Sequence, residues 1–287
     1  YQFMKINIAD FGAVHKTISE FKPDKIFHLA AESHVDRSIK NPSEFINTNI
    51  IGTFNILQSL KICKDILPND FLFMHISTDE VFGTLDFNEK PFNEESPYRP
   101  NSPYSASKAS SDMLVRAWNE TYSLRTVITN CSNNYGPWQN PEKLIPKIIF
   151  NAINDKPIPI YGNGTNIRDW LHVDDHVDAL LLASDSKELF NRFTIGANHE
   201  ISNINLTKII CEYLDKKLPK ARPYFKQVIF VKDRLGHDLR YAIDASQISK
   251  CKGFNAKYEL NNGIAQTIEW YLANKDWVKE KVRSSNG

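Results

Sequence analysis

The sequence predicts an α/β protein with a doubly wound parallel sheet, followed by a smaller α/β lobe. Strand-like and helix-like segments alternate without hairpin turn signals, which favours parallel strands with helices on both faces. The stretch Phe71–Ser77 is apolar on both faces, as a central parallel strand must be. After Gly136 prolines and glycines cluster and the elements shorten. We therefore expect one domain over residues 1–135 and a second over 136–287, with residues 165–195 returning to the first.

The elements of the first half follow from their local patterns. Residues 5–10 are predicted as a strand, and Asp10 as the N-cap of a helix over 11–21, whose apolar residues recur at helical spacing. Residues 24–31 are apolar and end in small residues, which indicates a second strand. The segment 41–63 opens with Asn-Pro, a signal for a helix start, and then keeps a helical pattern.

The remaining predicted elements continue the alternation. A long helix is expected over residues 102–122 and a strand over 124–132. In the second half, residues 228–234 are predicted as a last strand and 261–274 as a last helix.

The bulk composition is that of an ordinary globular protein. The 287 residues are 41% hydrophobic and 24% charged, with a formal net charge of +1 and no basic stripe, so a nucleic-acid-binding role is not expected. The four cysteines lack metal-site or redox-pair spacing, which indicates reduced thiols. No apolar run approaches the roughly 20 residues of a membrane span, and no signal pattern opens the chain. We expect a soluble, cytoplasmic protein.

Two adjacent carboxylates follow the predicted central strand. Thr78, Asp79 and Glu80 stand just past its end, where ligands bind in open parallel sheets. Adjacent residues project in different directions, so one carboxyl group could donate a proton while the other accepts one at a different carbon. Alternatively the segment merely caps a turn, since Ser, Thr and Asp favour such positions. The residues alone leave both interpretations open.

A tyrosine and a lysine at helical spacing form a second candidate feature. Tyr104 and Lys108 would share a helix face, and the ammonium would favour the phenolate by lowering its pKa. Tyr104 is then a plausible base toward a hydroxyl group. Three other Tyr/Lys pairs have this spacing, so context decides: only Tyr104 follows the carboxylates by one loop and precedes small residues.

Two polar segments that contain glycine are candidate anion sites. Arg168 is predicted to lie in such a loop, where a guanidinium group can bind phosphate through two hydrogen bonds. Arg234 and His237 flank Gly236 in the second segment. Alternatively, both segments are only solvent-exposed runs of charged residues.

A metal site in the segment "RDWLHVDDH" is considered and set aside. His172, Asp174 and His176 could suggest one. We predict instead that Asp174 or Asp175 is the N-cap of the helix that follows, and that no metal is bound.

Seven motifs, taken together and in order, resemble those of the dTDP-glucose 4,6-dehydratases, which are extended short-chain dehydrogenases/reductases with tightly held NAD. They are "HLAAESHVDRSI", "ISTDEVFG", "SPYSASKASSD", "TNCSNNYGP", "PEKLIP", "RDWLHVDDH" and "DRLGHDLRYAID". The resemblance covers nearly the whole chain. It implies a Rossmann-like, NAD-binding first domain, a C-terminal lobe for the nucleotide-sugar, and a hydro-lyase that converts dTDP-glucose to dTDP-4-keto-6-deoxyglucose.

The resemblance also implies catalytic roles. Tyr104 would take the proton of the sugar 4-hydroxyl as hydride leaves C4 for NAD, and Lys108 would tune Tyr104 and hold the nicotinamide ribose. Thr78 would bond the oxygen at C4. Asp79 would be the acid for the departing 6-hydroxyl and Glu80 the base at C5, after which the hydride returns to C6. Epimerases of the same family need neither carboxyl group.

The positions that match the family's ligand contacts form two sets. NAD would be bound by Asn7, Ile8, Leu29, Ala30, Ala31, Ser33, Thr48, Tyr104, Lys108 and Asn134. The nucleotide-sugar would be bound by Ser33, Thr78, Asn133, Lys143, Arg168, Asn203, Arg234 and His237. The helices that begin near Pro42 and Pro103 resemble those that pair two subunits into a four-helix bundle, which implies a homodimer; alternatively their apolar faces only cover the sheet.

The sequence departs from the family pattern at two places. Its first glycine is Gly12 and no GxxGxxG motif occurs, although that turn holds the pyrophosphate at a helix N-terminus. We therefore expect the polypeptide as written to be part of a longer enzyme and to bind NAD poorly. Asn7 stands where the family usually has an Asp that contacts adenine, and its side-chain oxygen can still accept from the adenine amine.

Two other functions stay open at this stage. One is a dehydratase that acts on UDP-glucose, which differs from dTDP-glucose only by a ribose hydroxyl and a thymine methyl. The other is a non-catalytic relative that binds NAD or a nucleotide-sugar. The joint presence of Thr78, Asp79, Glu80, Tyr104 and Lys108 argues against the second.

Overall fold

The computed structural model describes residues 1–285 and is an α/β structure. Within these residues the strands are β1 (Lys25–His28), β2 (Leu72–Thr78), β3 (Thr126–Cys131), β4 (Asn133–Tyr135), β5 (Ile158–Tyr161), β6 (Ile167–His172), β7 (Phe190–Ile195), β8 (Glu200–Ser202) and β9 (Val228–Val231). The α-helices are α1 (Phe11–Phe21), α2 (Val35–Lys40), α3 (Pro42–Phe45), α4 (Thr53–Ile62), α5 (Pro103–Tyr122), α6 (Leu144–Ile153), α7 (Val173–Ser184), α8 (Asn203–Lys217), α9 (Ser246–Lys252), α10 (Leu260–Ala273) and α11 (Lys275–Ser285).

The main sheet has the order β1-β2-β3-β7, and all of its strand pairs are parallel. Helices α4 and α5 belong to the layer on one face, and α7 and α9 to the layer on the other. Along β2 the buried residues alternate between the two layers: Phe73 packs in the cluster with Leu57 and Val115, and Met74 in the cluster with Leu180. The prediction of a parallel sheet with helices on both faces is confirmed.

The first predicted strand is not formed. Residues 1–7 are exposed and lack regular structure, and none of them pairs with another strand of the described chain. A strand requires a neighbour for its backbone groups, and here the chain turns instead: the amide of Asp10 donates to the carbonyl of Asn7 at 3.0 Å. The prediction for Asp10 itself is confirmed, because its Oδ1 accepts from the amide of Ala13 at 3.1 Å and caps α1.

The helix predicted over residues 41–63 is present but contains a π-helical segment, Ile46–Gly52, between α3 and α4. The hydroxyl of Thr53 donates to the carbonyl of Asn49 at 2.6 Å. Gly52 permits a close approach, since a Cβ there would lie 2.6 Å from Cδ1 of Ile8. Such single π turns are frequent beside functional sites.

The second half forms its own core next to the sheet. Strands β4-β6-β8 and β5-β9 make two small sheets, and buried side chains of α6, α8 and α10, among them Ile149, Ile210 and Ile268, pack together. Strand β7 nevertheless belongs to the main sheet beside β3. The boundary between two domains stays a prediction. No helix within residues 1–285 combines the length and apolarity that crossing a membrane requires.

Candidate active site

The carboxylate pair lies at the carboxyl end of β2. Thr78 is the N-cap of a one-turn 3₁₀ helix, Asp79–Phe82, and its Oγ1 accepts from the amide of Glu80 at 3.3 Å. The same hydroxyl donates to Oδ1 of Asp79 at 3.2 Å. Asp79 is 1% exposed, and its Oδ2 has no hydrogen-bond partner among the described residues. The segment therefore caps a turn and also holds a buried carboxyl oxygen that is available to a ligand.

The two carboxyl groups have different electrostatic environments. Burial raises the pKa of Asp79 well above its ordinary value, and Glu80 and Asp169 raise it further while Arg168 opposes them. Burial also raises the pKa of Glu80, but the cations Arg168 and Lys143 act against that rise. Asp79 therefore favours the protonated form, and Glu80 faces positive charge that favours its ionised form.

Tyr104 and Lys108 occupy the first two turns of α5. A capping box fixes this end, because Oγ of Ser102 accepts from the amide of Ser105 at 3.0 Å and Oγ of Ser105 accepts from the amide of Ser102 at 3.0 Å. Both site residues are buried. The ammonium of Lys108 donates to the carbonyl of Ile76 in β2 at 2.8 Å, so α5 is tied to the strand that carries the carboxylates.

The predicted lowering of the pKa of Tyr104 is wrong for this structure. Burial raises that pKa well above its ordinary value, and Glu80, Cys131 and Asp79 raise it further. The ammonium of Lys108 is bonded to a strand carbonyl instead, and burial and the two carboxyl groups dominate the pKa of Tyr104. Tyr104 is a neutral phenol in this environment, close in space to both carboxylates.

Arg168 is buried in strand β6 rather than in the predicted loop. The alternation of β6 places its side chain beside the carboxylates, where it lowers the pKa of both. Its Nη1 donates to the carbonyl of Ile167 at 2.7 Å and its Nη2 to the carbonyl of Asp238 at 3.0 Å. The guanidinium lies 4.1 Å from the ring centroid of Tyr241. These contacts fix a cation at the edge of the site.

Arg234 and His237 lie in one loop after β9, as predicted, but both contact carboxylates of the protein. Nε of Arg234 donates to Oδ1 of Asp36 at 2.6 Å and its Nη2 to Oδ2 at 3.1 Å. Tyr161 donates to Oδ2 of Asp36 at 3.0 Å, and its ring lies 4.9 Å from the Arg234 guanidinium. Nδ1 of His237 is 2.6 Å from Oδ1 of Asp233. The carboxylates of Asp36 and Asp233 thus orient the hydrogen-bond donors of Arg234 and His237 at the entrance of the site.

The other predicted substrate-binding residues differ in their hydrogen bonding: some are bonded to protein groups, and others have a side-chain oxygen that is unpaired within the described chain. Lys143, the N-cap residue of α6, donates to the carbonyl of Ser33 at 2.7 Å and to its Oγ at 3.2 Å, which joins the second half of the chain to the segment after β1. Asn133 and Asn203 each bury a side-chain oxygen that has no hydrogen-bond partner within residues 1–285. Such orphan acceptors suit a ligand that carries hydroxyl or amide donors.

Asn134 is held in one orientation by its neighbours. Its Oδ1 is 2.6 Å from Nδ1 of His176, and its Nδ2 donates to the carbonyl of Ser132 at 2.9 Å. Burial lowers the pKa of His176 to about 4, so the ring is neutral near pH 7 and donates through Nδ1. His176 and the carbonyl of Ser132 therefore fix the orientation of the Asn134 amide.

The remaining predicted cofactor positions lie near the end of β1 and around the π-helical segment. Residues 29–31 follow β1 directly and are exposed or partly buried, and Thr48 lies within the π-helical segment. Asn7 and Ile8 form the turn before α1, where the carbonyl of Ile8 accepts from Nδ2 of Asn55 at 3.0 Å. The assignment of these positions to the cofactor stays a prediction.

The start of α7 differs from the prediction. His172 is the N-cap residue, with its Nδ1 accepting from the amide of Asp174 at 3.3 Å, and its ring stacks on Tyr258 at 3.8 Å. Asp175 lies in the first turn, where its carboxylate accepts from the amides of Lys257 and Tyr258. Asp174 and Asp175 are not N-caps because the histidine ring takes that place. Residues 1–285 contain no cluster of three or more His, Cys, Asp or Glu side chains suited to a metal ion.

Several functional neighbours were not predicted from the sequence. Asp112 is fully buried on α5, four residues after Lys108, so helical spacing could have indicated it. His75, His176 and Asp36 contact residues that are 37 to 198 positions away in the chain, and no local pattern indicates such pairs.

Comparisons with known proteins identify the family of the chain. The family model described as GDP-mannose 4,6 dehydratase matches residues 1–267. The chain belongs to this family. The dTDP-glucose 4,6-dehydratase of Salmonella typhimurium is 48% identical over 290 residues, which span 97% of this chain and 80% of that protein. The dTDP-glucose 4,6-dehydratase 1 of Escherichia coli K12 is also 48% identical, over 99% of this chain and 82% of that protein.

Solved structures of other enzymes have the same fold. DesIV, the dTDP-glucose 4,6-dehydratase of Streptomyces venezuelae, solved with NAD and TYD bound, is 39% identical with a TM-score of 0.90, and the match covers 98% of this chain and 82% of that one. The UDP-glucose 4-epimerase of Thermotoga maritima, solved with UDP-glucose, is 25% identical with a TM-score of 0.84, over 95% and 85% of the two chains. The Rossmann-like fold of extended short-chain dehydrogenases/reductases is confirmed.

Proposed function

We propose that the protein is an NAD-dependent hydro-lyase that converts dTDP-glucose to dTDP-4-keto-6-deoxyglucose. The relatives in Salmonella typhimurium and Escherichia coli that carry this name are 48% identical to it across nearly the whole chain. A UDP-glucose 4-epimerase shares the fold at 25% identity, so the fold alone does not select the reaction. The choice of dehydration over epimerisation rests on the chemistry of the site.

The observation that carries the proposal is the pair of unlike carboxyl groups beside Tyr104. Loss of the 6-hydroxyl as water needs a proton donor, and Asp79 is the buried group that favours its protonated form. Removal of the C5 proton needs an acceptor, and Glu80 is flanked by the cations Arg168 and Lys143. An epimerase has no use for either group.

The residues fit a nicotinamide cofactor at the end of the sheet. Lys108 and Tyr104 on α5 and the fixed amide of Asn134 would hold the nicotinamide end, and residues 29–31 would line its approach. NAD, when bound, supplies the acceptor that removes hydride from C4 and gives it back at C6. DesIV was solved with NAD bound, and so was the Bacillus anthracis dTDP-glucose 4,6-dehydratase, which is 38% identical to this chain.

Within this reaction each side chain has a defined task. Tyr104, beside Thr78, would contact the oxygen at C4; its phenol first loses its own proton, and the phenolate then takes the proton of the 4-hydroxyl on oxidation. The ketone so formed acidifies C5, so a carboxylate such as Glu80 suffices as base. Asp79 then gives its proton to the leaving oxygen at C6, and burial excludes competing water from the step. We assign the substrate diphosphate to the cations Arg168, Lys143 and Arg234, and its polar groups to Ser33, Asn133, Asn203 and His237.

An isotope experiment tests the reaction. dTDP-glucose with deuterium at C4 is incubated with the protein expressed from its complete gene, and the product is examined by NMR. We expect the deuterium at C6 of a 4-keto-6-deoxy sugar. Label lost to solvent, or retained at C4 of an epimer, would contradict the proposal. Competition between dTDP-glucose and UDP-glucose in the same assay decides the nucleotide, and we expect the dTDP sugar to be preferred.

We also propose that two copies pair through the helices of residues 42–62 and α5. Large apolar side chains on these helices are exposed, namely Ile46, Ile51, Phe54 and Met113. Exposed apolar patches of this kind mark protein interfaces. Light scattering should give the mass of a dimer, and Phe54→Glu combined with Met113→Glu should give a monomer. A monomer mass for the unmodified protein at micromolar concentration would contradict the pairing.

A further inference from the structure

A buried polar cluster lies directly behind the catalytic residues, between α5 and the sheet. Its centre is Asp112, which is fully buried. Oδ1 of Asp112 is 3.1 Å from Nε2 of His75 in β2, and Oδ2 accepts from the hydroxyl of Tyr98 at 2.8 Å and from Nδ2 of Asn130 in β3 at 3.1 Å. Two donors thus satisfy Oδ2, whereas the imidazole of His75 lies close to Oδ1 without forming a hydrogen bond within the described residues.

The charge of this cluster is balanced by Lys108. His75 is neutral, because burial and the charge of Lys108 lower its pKa to about 4. Tyr98 and Asn130 are neutral donors, so none of them cancels the charge of Asp112. Lys108 stands four residues earlier on α5, and therefore on the same helix face, and it is also buried.

Lys108 needs a permanent counter-ion to stay charged. Burial lowers the pKa of Lys108, and Asp112 is the leading group that raises it again. The titratable groups that face Lys108 from the elements packed around it are Asp112 on α5, Cys131 on β3, His75 on β2 and His28 on β1. Of these, Asp112 is the acid whose own pKa is lowered by its neighbours, so it is the anion near pH 7.

Hydrogen bonds to backbone carbonyl groups also connect the buried cluster around Asp112 with the segment that carries Asp79 and Glu80. Nδ2 of Asn130, which donates to Asp112, lies 3.1 Å from the carbonyl of Thr78 and donates to it as well. That carbonyl belongs to the last residue of β2, directly before Asp79. Lys108 meanwhile bonds the carbonyl of Ile76 on the same strand. One carboxylate thus connects the helix that carries Lys108 with the strand end that carries the acid.

We propose that Asp112 is a positioning residue of the reaction: it is the fixed counter-ion that keeps Lys108 charged and aligned with the end of β2. The inference rests on the proposed function, because it concerns the step in which Tyr104 gives up its proton. A charged Lys108 one helical turn from Tyr104 favours the phenolate, and a neutral amine does not. Asp112 is fully buried behind the site and would act through Lys108.

The experiment measures the charge of Lys108 directly. Lysine labelled with ¹³C at Cε is followed by NMR as a function of pH, and the Lys108 signal is identified as the one absent from Lys108→Arg. We expect Lys108 to be charged at pH 7.5 in the unmodified protein. In Asp112→Asn its titration midpoint should fall by about 1 to 3 pH units, the usual effect of losing a close opposite charge. A neutral Lys108 in the unmodified protein, or an unchanged midpoint in Asp112→Asn, overturns the proposal.

Turnover supplies the second readout. The alkaline limb of the kcat/KM profile should move to lower pH in Asp112→Asn, so that activity recovers toward that of the unmodified protein as the pH is lowered to 6.5. Tyr98→Phe removes a neutral donor to the same carboxylate and should leave the limb in place. An equal loss of activity at every pH in Asp112→Asn would indicate a purely structural role and contradict the proposal.

Two further outcomes are distinguishable. If Asp112→Asn does not fold, the titration of Lys108 in the unmodified protein still decides, since a neutral amine at pH 7.5 overturns the counter-ion role. If the unmodified protein lacks dehydratase activity, the proposed function fails, and the NMR titration still measures the coupling between Asp112 and Lys108.

Discussion

At the scale of single residues, the surroundings of Asp79 and Glu80 give these two carboxyl groups different electrostatic environments. Asp79 and Glu80 are neighbours in sequence, yet one carboxyl oxygen of Asp79 is buried without a hydrogen-bond partner in residues 1–285, while Glu80 faces several cations. The sequence predicted that these two residues carry chemistry, because they follow a buried strand. It could not predict which one retains its proton, because that depends on Asp169 and Arg168, which lie about 90 residues further along the chain.

The role of Asp79 as the acid leads to a first prediction. In Asp79→Asn the side chain keeps its size but has no acidic proton, so elimination should slow by about 10²- to 10⁴-fold, the usual contribution of a general acid. Oxidation at C4 does not need Asp79, so the absorbance of reduced cofactor at 340 nm should rise and persist after substrate is added. Stopped-flow absorbance and product formation measure the two steps.

Glu80→Gln is the matched control for that prediction. It should also slow product formation, but for another reason, since the base at C5 is lost. In D₂O, the C5 hydrogen of the sugar should exchange in Asp79→Asn and fail to exchange in Glu80→Gln. Turnover at the original rate in Asp79→Asn, or the reverse pattern of exchange, would show that the roles are assigned wrongly.

At the scale of elements, the sequence predicts a strand well when both faces of the strand are buried. It predicts a strand poorly when its formation depends on pairing with a neighbouring strand. β2 and β3 are apolar runs of the main sheet and were found. Residues 5–10 have the composition of a strand but pair with nothing in the described chain. The polar residues and glycines before Arg168 predict a loop, yet pairing with β4 and β8 makes its segment a strand.

The first turn of α5 leads to a second prediction. Ser102→Ala removes the oxygen that accepts from the amide of Ser105 at 3.0 Å and leaves a buried donor unsatisfied. We expect the free energy of unfolding to fall by about 1 kcal/mol, the usual cost of an N-cap. Because Tyr104 lies in this turn, kcat should fall as well. Urea unfolding and steady-state kinetics measure the two effects.

Ser110→Ala on the same helix is the control. Its hydroxyl only donates to the carbonyl of Ala106 at 2.8 Å, one turn earlier. Alanine has the higher helix propensity, so stability should stay level or rise by up to about 0.5 kcal/mol. Equal losses in both serine variants would mean that the capping box contributes nothing specific to this helix.

At the scale of the whole molecule, the fold buries histidines in neutral form beside its reactive groups. His75 and His176 lie in different layers of the molecule, and burial lowers the pKa of each to about 4. In the unfolded chain a histidine has a pKa of about 6.5. Between these values the unfolded state binds protons that the folded state does not, so the folded state loses stability as the pH falls from about 6.5 to about 4.

This linkage gives the third prediction. Each such histidine should contribute about 1.4 kcal/mol of lost stability per pH unit inside that window. His176→Gln cannot titrate, so the stability that the protein loses between pH 6.5 and pH 5 should be smaller in the variant by about 2 kcal/mol. The free energy of unfolding from urea titrations at both pH values measures the difference.

Between pH 7.5 and pH 8.5 this histidine is neutral in both the folded and the unfolded state, so the variant should change the pH dependence little there. The same loss between pH 6.5 and pH 5 with and without His176 would show that its ring is not held neutral against Asn134, and the fixed orientation of that amide would then fail as well.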